Sequence, residues 1–273
     1  MDKIIVLVKQ VPDMDNVRFD SEKGVIDRKS AGTEINPFDL NALETAVQVS
    51  EKTGADVHVI SMGPPSAQDA IKEAIARGAS SGVLLSDKKF GGSDVKATAS
   101  VLAAAIRKAG PYSMVLAGVQ TIDGDTGQVG PEVAQLLEIP HAGYAETLHD
   151  VDENKITVST RIWEGLYKKT MSYPVLITVN KEISEPRLPS LKRKMQARKA
   201  EIPVWGLEDL KGFITENDTG HKGSATWVKK IIIPESSKRS GEIYRDDLSK
   251  ALDAIMGMLK EGRILEVNTD GKQ

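Results

Sequence analysis

The sequence predicts an α/β protein built on a doubly wound parallel sheet, with added antiparallel strands and a C-terminal arm. Three observations carry this. Ile4 to Val8 is an unbroken run of β-favouring apolar residues, as expected of a central strand buried on both faces. Strand and helix patterns then alternate across residues 3–138, which calls for parallel strands joined by right-handed crossovers. Finally, each predicted strand ends in a loop rich in Gly, Pro, Ser or Asp, and such sheets bind ligands at the carboxyl ends of their strands.

The elements follow in order. After the first strand, Asn36-Pro37-Phe38-Asp39 opens a helix: Asn36 can cap, Pro37 suits the first turn and Asp39 favours the dipole. Leu40, Leu43, Ala46, Val47 and Ser50 continue at helical spacing and Gly54 ends it. Val57–Ile60 is the second strand, leading into Ser61-Met62-Gly63-Pro64-Pro65. Ser66–Ala76 reads as a helix closed by Gly78, and Val83–Leu85 as the third strand. Asp94 can cap a helix from Val95 to Lys108. Met114–Ala117 is the fourth strand, and a helix over Glu132–Leu137 follows its loop.

The texture changes after Pro140. Ile156, Val158, Thr160 and Ile162 share one face of a half-exposed strand. Trp163-Glu164-Gly165 can turn the chain back through Leu166–Met171, and Pro174–Val179 gives a further buried strand. These are expected to extend the sheet with antiparallel strands. Ser184–Val204 is basic, stiffened by Pro186, Pro189 and Pro203, and carries Leu188 and Leu191; it reads as an arm that reaches a partner. Residues 205–245 have no periodicity and look like a tail that needs another surface to order it. Leu248–Leu259 is a last amphipathic helix. The expected division is therefore residues 1–183 as the nucleotide-binding domain, 184–204 as the recognition arm and 205–273 as a C-terminal extension.

Composition narrows the chemistry. With 36 basic and 39 acidic residues the net charge is −3, which offers no general attraction to nucleic acid or an anionic membrane. There is no cysteine, hence no disulfide, thiol nucleophile or cysteine-bound cluster within the chain. The four histidines show no ligand spacing, so no metal is expected. No apolar run nears the ~20 residues of a membrane span. No signal peptide is apparent and the expected location is the cytoplasm. GxSxG, HExxH, the P-loop and GxGxxG after the first strand are all missing, so no catalytic side chain is nominated.

What remains is Gly118-Val119-Gln120-Thr121-Ile122-Asp123-Gly124-Asp125-Thr126-Gly127-Gln128-Val129-Gly130-Pro131. Glycine-rich backbone between a strand and a helix presents free N–H groups, and the helix dipole adds positive potential there. The glycines let a phosphate or flat ring approach the main chain. Phosphate-cradling features without a catalytic set point to a cofactor binder whose chemistry is the cofactor's. A Rossmann-like, adenine-nucleotide-binding fold fits this reading.

These motifs resemble those of the electron transfer flavoprotein β subunits. The matching residues are Val6-Leu7-Val8-Lys9-Gln10-Val11-Pro12-Asp13, Asn36-Pro37-Phe38-Asp39, Met62-Gly63-Pro64-Pro65, Gly118-Val119-Gln120 with Ile122-Asp123-Gly124-Asp125, and Glu185-Pro186-Arg187. The resemblance implies a heterodimer with an α subunit that carries one FAD. It implies nucleotide contacts from Leu7, Asn36, Pro37, Phe38, Asp39, Met62 and the run Gly118, Val119, Gln120, Thr121, Ile122, Asp123, Gly124, Asp125, Thr126, Gly127, Gln128 and Val129. Asn36 and Asp39 suit adenosine hydroxyl or amine groups. Family members hold either a structural AMP or a second FAD at this place, and the small residues around Gly124–Gly130 resemble the FAD-binding, electron-bifurcating class. Phe90-Gly91-Gly92-Ser93-Asp94 resembles that class's glycine pair near the NADH site, with Gly91, Gly92 and Ser93 as NAD contacts.

The implied activity is then an oxidoreductase subunit of anaerobic metabolism. NADH would deliver electrons, ferredoxin or flavodoxin would take one, and a flavin-dependent dehydrogenase (acyl-CoA, enoyl-CoA or 2-hydroxy acid type) would be served through the α-subunit FAD. Arg187, Leu191, Lys192 and Arg193 match the family's docking loop. The alternatives are a non-bifurcating carrier with AMP and, in another class, a universal-stress-type adenine-nucleotide module.

Overall fold

A computed structural model describes residues 2–13, 18–20, 25–27, 32–163, 165–227, 229, 244–245 and 247–262. The chain opens with β1 (Lys3–Val8), β2 (Gln10–Pro12), β3 (Arg18–Asp20), β4 (Val25–Asp27) and β5 (Thr33–Ile35). It continues through α1 (Pro37–Thr53), β6 (Val57–Met62), α2 (Gln68–Arg77), β7 (Ser81–Leu85), α3 (Val95–Ala109), β8 (Tyr112–Gly118) and α4 (Val129–Leu137). Then come β9 (His141–Val151), β10 (Lys155–Ile162), β11 (Gly165–Ser172), β12 (Val175–Val179), α5 (Leu191–Arg198), β13 (Val204–Trp205), the short α6 (Gly220–Gly223) and α7 (Leu248–Glu261).

Nine strands form one sheet in the order β11-β10-β9-β12-β8-β1-β6-β7-β13. The β1 run explains why the sequence there is uniformly apolar. Ile4, Val6 and Val8 face a core shared with Leu43, Val47 and Ile71 of α1 and α2. Ile5 and Leu7 face the opposite core, against Val101, Ile106 and Val133 of α3 and α4. Each such side chain, fully buried, is worth about 1.5–3 kcal/mol. An alternating strand would leave one helix layer without a partner.

Two helix ends fall where the sequence placed them, while α2 starts at Gln68 and α4 already at Val129, ahead of the expected Glu132. Gly54 closes α1 in the left-handed conformation, φ 76°. Asp94 caps α3 by accepting from the Ala97 N–H at 3.0 Å.

Three expectations change. First, within the nine-stranded sheet the described antiparallel pairs are those of β10 with β9 and β11. The strand expected from Pro174 is β12, which lies parallel to both β8 and β9 and so belongs to the doubly wound sheet. Second, β9 carried no sequence signal, because its fully buried residues are small (Ala142, Ala145) and its larger apolar residues, Tyr144, Leu148 and Val151, are scattered among polar ones. Third, the segment after Val204 does not need a foreign surface up to Trp227. β13 pairs parallel with β7 at the sheet edge, and buried Leu207 and Leu210 join the α3–α4 core. Its order comes from tertiary contacts, which leave no periodicity. By its contacts the chain forms two units, Met1–Trp227 and Val228–Gln273.

In the second unit α7 is capped by Asp247, whose carboxylate accepts from the Lys250 N–H at 3.1 Å, and Leu248, Leu252, Ile255 and Met258 are exposed on it. The Trp163–Gly165 turn joins β10 to β11; its Glu164 lies outside the described residues, as do 228 and 230–243 of the expected tail.

Candidate functional site

Three loops meet at the carboxyl ends of β1 and β8, and the start of α1 ties them together. Asp39, in the first turn of α1, is buried. One of its oxygens accepts from the Lys9 N–H at 2.8 Å and the other from the Gly118 N–H at 3.0 Å. Burial pushes its carboxyl up to about 7, against the lowering effect of Asn36, Lys9 and Gly118. Asn36 is fully buried. It makes no side-chain cap bond; its amide donates to Gln120 O at 2.8 Å and its Oδ1 accepts from the Ile122 N–H at 3.2 Å. Above them Lys9 Nζ bridges to the Asp123 carboxylate at 2.6 Å.

This corrects two expectations. Asn36 stands at the N-cap position of α1 but makes no side-chain cap bond, and the side chains of Asn36 and Asp39 are buried beneath the loop. Asn36 holds Gln120 and Ile122 of the loop, while Asp39 joins the loop's first residue, Gly118, to Lys9 at the end of β1. Their polarity was legible in the sequence; their partners were not, because Lys9, Gly118 and Gln120 are distant along the chain.

The loop itself stands out from the protein. Gln120 donates to the Asp125 carboxylate, the Asp125 N–H returns to Thr121 O at 2.8 Å, and Ile122 to Thr126 and Gln128 are exposed. Asp125 and Gly127 are left-handed, φ 55° and 64°. The glycines of the run divide by role. A Cβ on Gly118 would lie 2.6 Å from Phe38 Cβ, and one on Gly130 would meet Thr178, so these two are small in order to pack against the chain. Around Gly124 the nearest atom is Thr121 Oγ1 at 3.3 Å, and around Gly127 it is Val119 O at 3.5 Å. A Cβ at either position would meet a neighbour without clashing, and with no side chain there the backbone is left uncovered for a ligand to approach. Of the remaining candidates, Leu7 is buried at the end of β1, Val119 is buried beneath the loop, Met62 is half-buried at the end of β6, and Pro37 and Phe38 flank the start of α1.

The Gly91-Gly92-Ser93 turn, after β7, is built differently. It sits near α4: Glu132 in that helix's first turn has its carboxyl raised by burial and then by Asp94. Gly92 is left-handed, φ 73°, and the His221 ring occupies the space where its Cβ would be. The Ser93 hydroxyl donates to Phe90 O and accepts from the Gly220 N–H. Ser224 Oγ donates to Gly92 O at 3.3 Å. The second Asp94 oxygen accepts from the Ala225 and Thr226 N–H groups, each at 2.8 Å. Residues 216–226 thus form a strap across this turn, fastened at its other end by the Glu216–Lys89 ion pair, with Lys222 pairing to Glu216 from within the strap. Lys222, then Lys89, hold the Glu216 carboxyl down to about 2. The glycine at position 92 is accounted for by the strap. The sequence could not reveal this, since His221 lies some 130 residues away.

The arm also differs from expectation at one position. Arg187 turns inward: Nε and Nη2 reach Glu44 at 2.8 and 3.0 Å, and Nη1 reaches Glu51 at 2.5 Å. Its carbonyl accepts from Arg77 at 2.8 Å. It anchors the arm to α1 rather than presenting itself outward. Leu191 is 76% exposed and Leu188 86%, while Ala197 packs α5 down. Lys192 and Arg193 are exposed beside Leu191.

No helix among the described residues is long and apolar enough to cross a membrane. The electron transfer flavoprotein domain is matched over residues 23–210. Electron transfer flavoprotein subunit beta of Clostridium acetobutylicum is 42% identical over 259 residues, spanning 94% of this chain and 98% of that one. The caffeyl-CoA reductase–Etf complex subunit CarD of Acetobacterium woodii is 35% identical over 264 residues, spanning 96% and 100%. Protein FixA of Azorhizobium caulinodans is 38% identical over 259 residues, spanning 93% and 92%. Near-complete matches of this kind, on a parallel sheet with a braced glycine loop at its carboxyl edge, place the chain in the electron transfer flavoprotein β-subunit family.

Proposed function

We propose that this chain is the β subunit of an electron-bifurcating flavoprotein and holds FAD at the loop Gly118–Val129. The observation that carries the reading is the open face of that loop. Residues 122–126 and 128 are exposed, Gly124 and Gly127 put no side chain over the backbone, Asp125 and Gly127 are left-handed, and Asn36 and Asp39 brace the loop from beneath. A braced, glycine-bearing loop that leads into the start of a helix suits a diphosphate. When bound there, FAD supplies hydride acceptance from NADH and one-electron transfer onward, to the α-subunit FAD and to ferredoxin or flavodoxin. The protein's part is to bind, orient and shield it. Gly91, Gly92 and Ser93 would admit NADH, which requires the strap to yield. Exposed Leu191, with Lys192 and Arg193, would dock a flavin-dependent dehydrogenase, and the exposed face of α7 would rest on the α subunit. The relative named as part of a caffeyl-CoA reductase complex supports an assembly of this kind. The expected location is the cytoplasm.

A second reading is a non-bifurcating carrier with AMP in the loop. One observation favours it: the Gly91–Ser93 turn is covered by the chain's own strap. Family membership gives no support to a universal-stress-type module. The test is NADH added to the purified αβ complex with ferredoxin, the dehydrogenase and its oxidised substrate. The first reading expects ferredoxin reduction only when the dehydrogenase and its substrate are present. A complex whose flavin stays oxidised with NADH belongs to the second reading.

A further inference from the structure

Tyr144 lies in β9, at the far side of the open loop, and three features set it apart. Its backbone is left-handed, φ 57°, an arrangement rare for a bulky aromatic residue within a strand. The strand pairing shifts register beside it, between Ile177 and Val179 of β12. Its ring is 48% exposed and reaches the loop: a Cβ built on Gly127 would stand 3.8 Å from the Tyr144 hydroxyl. Among the described residues that hydroxyl makes no hydrogen bond. Strain of this kind persists where surrounding structure imposes it, and it collects at ligand clamps.

We propose that Tyr144 is a nucleotide-binding residue whose hydroxyl donates to a phosphate oxygen of the nucleotide held at Asp125–Gly127. The proposal rests on the reading of Gly118–Val129 as the nucleotide loop and adds a wall to it from another element. The chemistry fits. A phenol is a neutral donor at ordinary pH, a phosphate oxygen is a strong acceptor, and the left-handed Gly127 is the point of the loop that the hydroxyl overlooks. The register shift turns the side chain toward the loop, and positive φ is the local consequence. A tyrosine with no bond to lose in the free chain is also one whose hydroxyl contributes little to folding.

The test uses the αβ complex stripped of nucleotide and titrated separately with FAD and with AMP, both of which carry the phosphate. Y144F keeps the ring and removes the donor. A hydrogen bond to a charged group corresponds to roughly a tenfold to hundredfold change in affinity. Y144F is therefore expected to weaken binding by at least about tenfold, with the melting temperature of the nucleotide-free complex unchanged. G124L is run beside it as a block of the loop. Binding lost in G124L and unchanged in Y144F overturns the proposal and leaves the loop reading intact. Binding unchanged in G124L overturns both. A Y144F complex that melts lower without nucleotide assigns the hydroxyl to the fold instead and also overturns the proposal. Weakening for FAD alone, or for FAD and AMP alike, supports it and tells which phosphate is contacted.

Discussion

Two glycine turns share one edge of the sheet, and they solve opposite problems. The Gly118–Gly130 run is open: residues 122–126 are exposed, a Cβ on Gly124 or Gly127 would meet no clash, and the loop is held by side chains beneath it, Asn36, Asp39 and Lys9. The Gly91–Ser93 turn is covered: His221 fills the space at Gly92, and Ser93, Gly92 and Asp94 are bonded to the strap 216–226. A glycine can mark room for a ligand or room for the chain itself. Only the neighbours across the fold distinguish the two, so the composition of a turn is a weaker argument than the atoms standing over it.

The comparison breaks most visibly if the open turn can be filled without consequence. G124L should lower nucleotide occupancy by at least about a hundredfold in affinity, well beyond a lost ~1.4 kcal/mol contact. Its stability should stay within about 0.5 kcal/mol of the parent chain, as for surface changes generally. Equilibrium binding and thermal melting on the same preparation check both halves.

The brace gives the next effect. D39N keeps the shape but turns one acceptor into a donor facing a backbone N–H, a cost of about 1–3 kcal/mol. It also removes a titration. The Asp39 carboxyl rises from its ordinary 3.8 to about 7 on folding, so the folded chain binds the extra proton between those values. Stability from this group is then greatest in acid and falls as pH rises from about 4 to about 7. The difference in unfolding free energy between parent and D39N, followed by urea titration across that range, should shrink as pH rises.

For the covered turn the sign reverses. Glu216 is held down to about 2 by Lys222 and Lys89, so its contribution is present above its ordinary 4.5 and is lost as pH falls toward 2. Hydrogen-exchange protection in residues 216–226, corrected for the intrinsic rate at each pH, should fall on acidification below about 4.5, and E216Q should show the lowered protection already at neutral pH. The smallest effect is expected for H221A. It empties the space at Gly92 from an exposed side chain and should cost no more than about 0.5 kcal/mol. If NADH uses this turn, the variant should speed flavin reduction; equal rates would place the nicotinamide elsewhere.

Much of the fold was legible because it is local. Ile4–Val8 states its double burial outright, and Gly54 and Asp94 mark helix ends by conformational and capping chemistry that needs no distant partner. β9 and the 204–227 segment were not legible, since small or polar residues order there only against β10, β12 and α3. The site divides in the same way. The loop was found from its own residues. The inward turn of Arg187 to Glu44 and Glu51, the use of Asn36 and Asp39 as braces, and the place of Tyr144 each depend on pairs far apart in sequence.

The most direct measurement is the count of nucleotides released on denaturing the co-purified αβ complex, parent and G124L side by side. The account predicts two FAD per complex in the parent and one in G124L, the survivor being that of the α subunit. One FAD with one AMP in the parent, or two FAD retained in G124L, would contradict it.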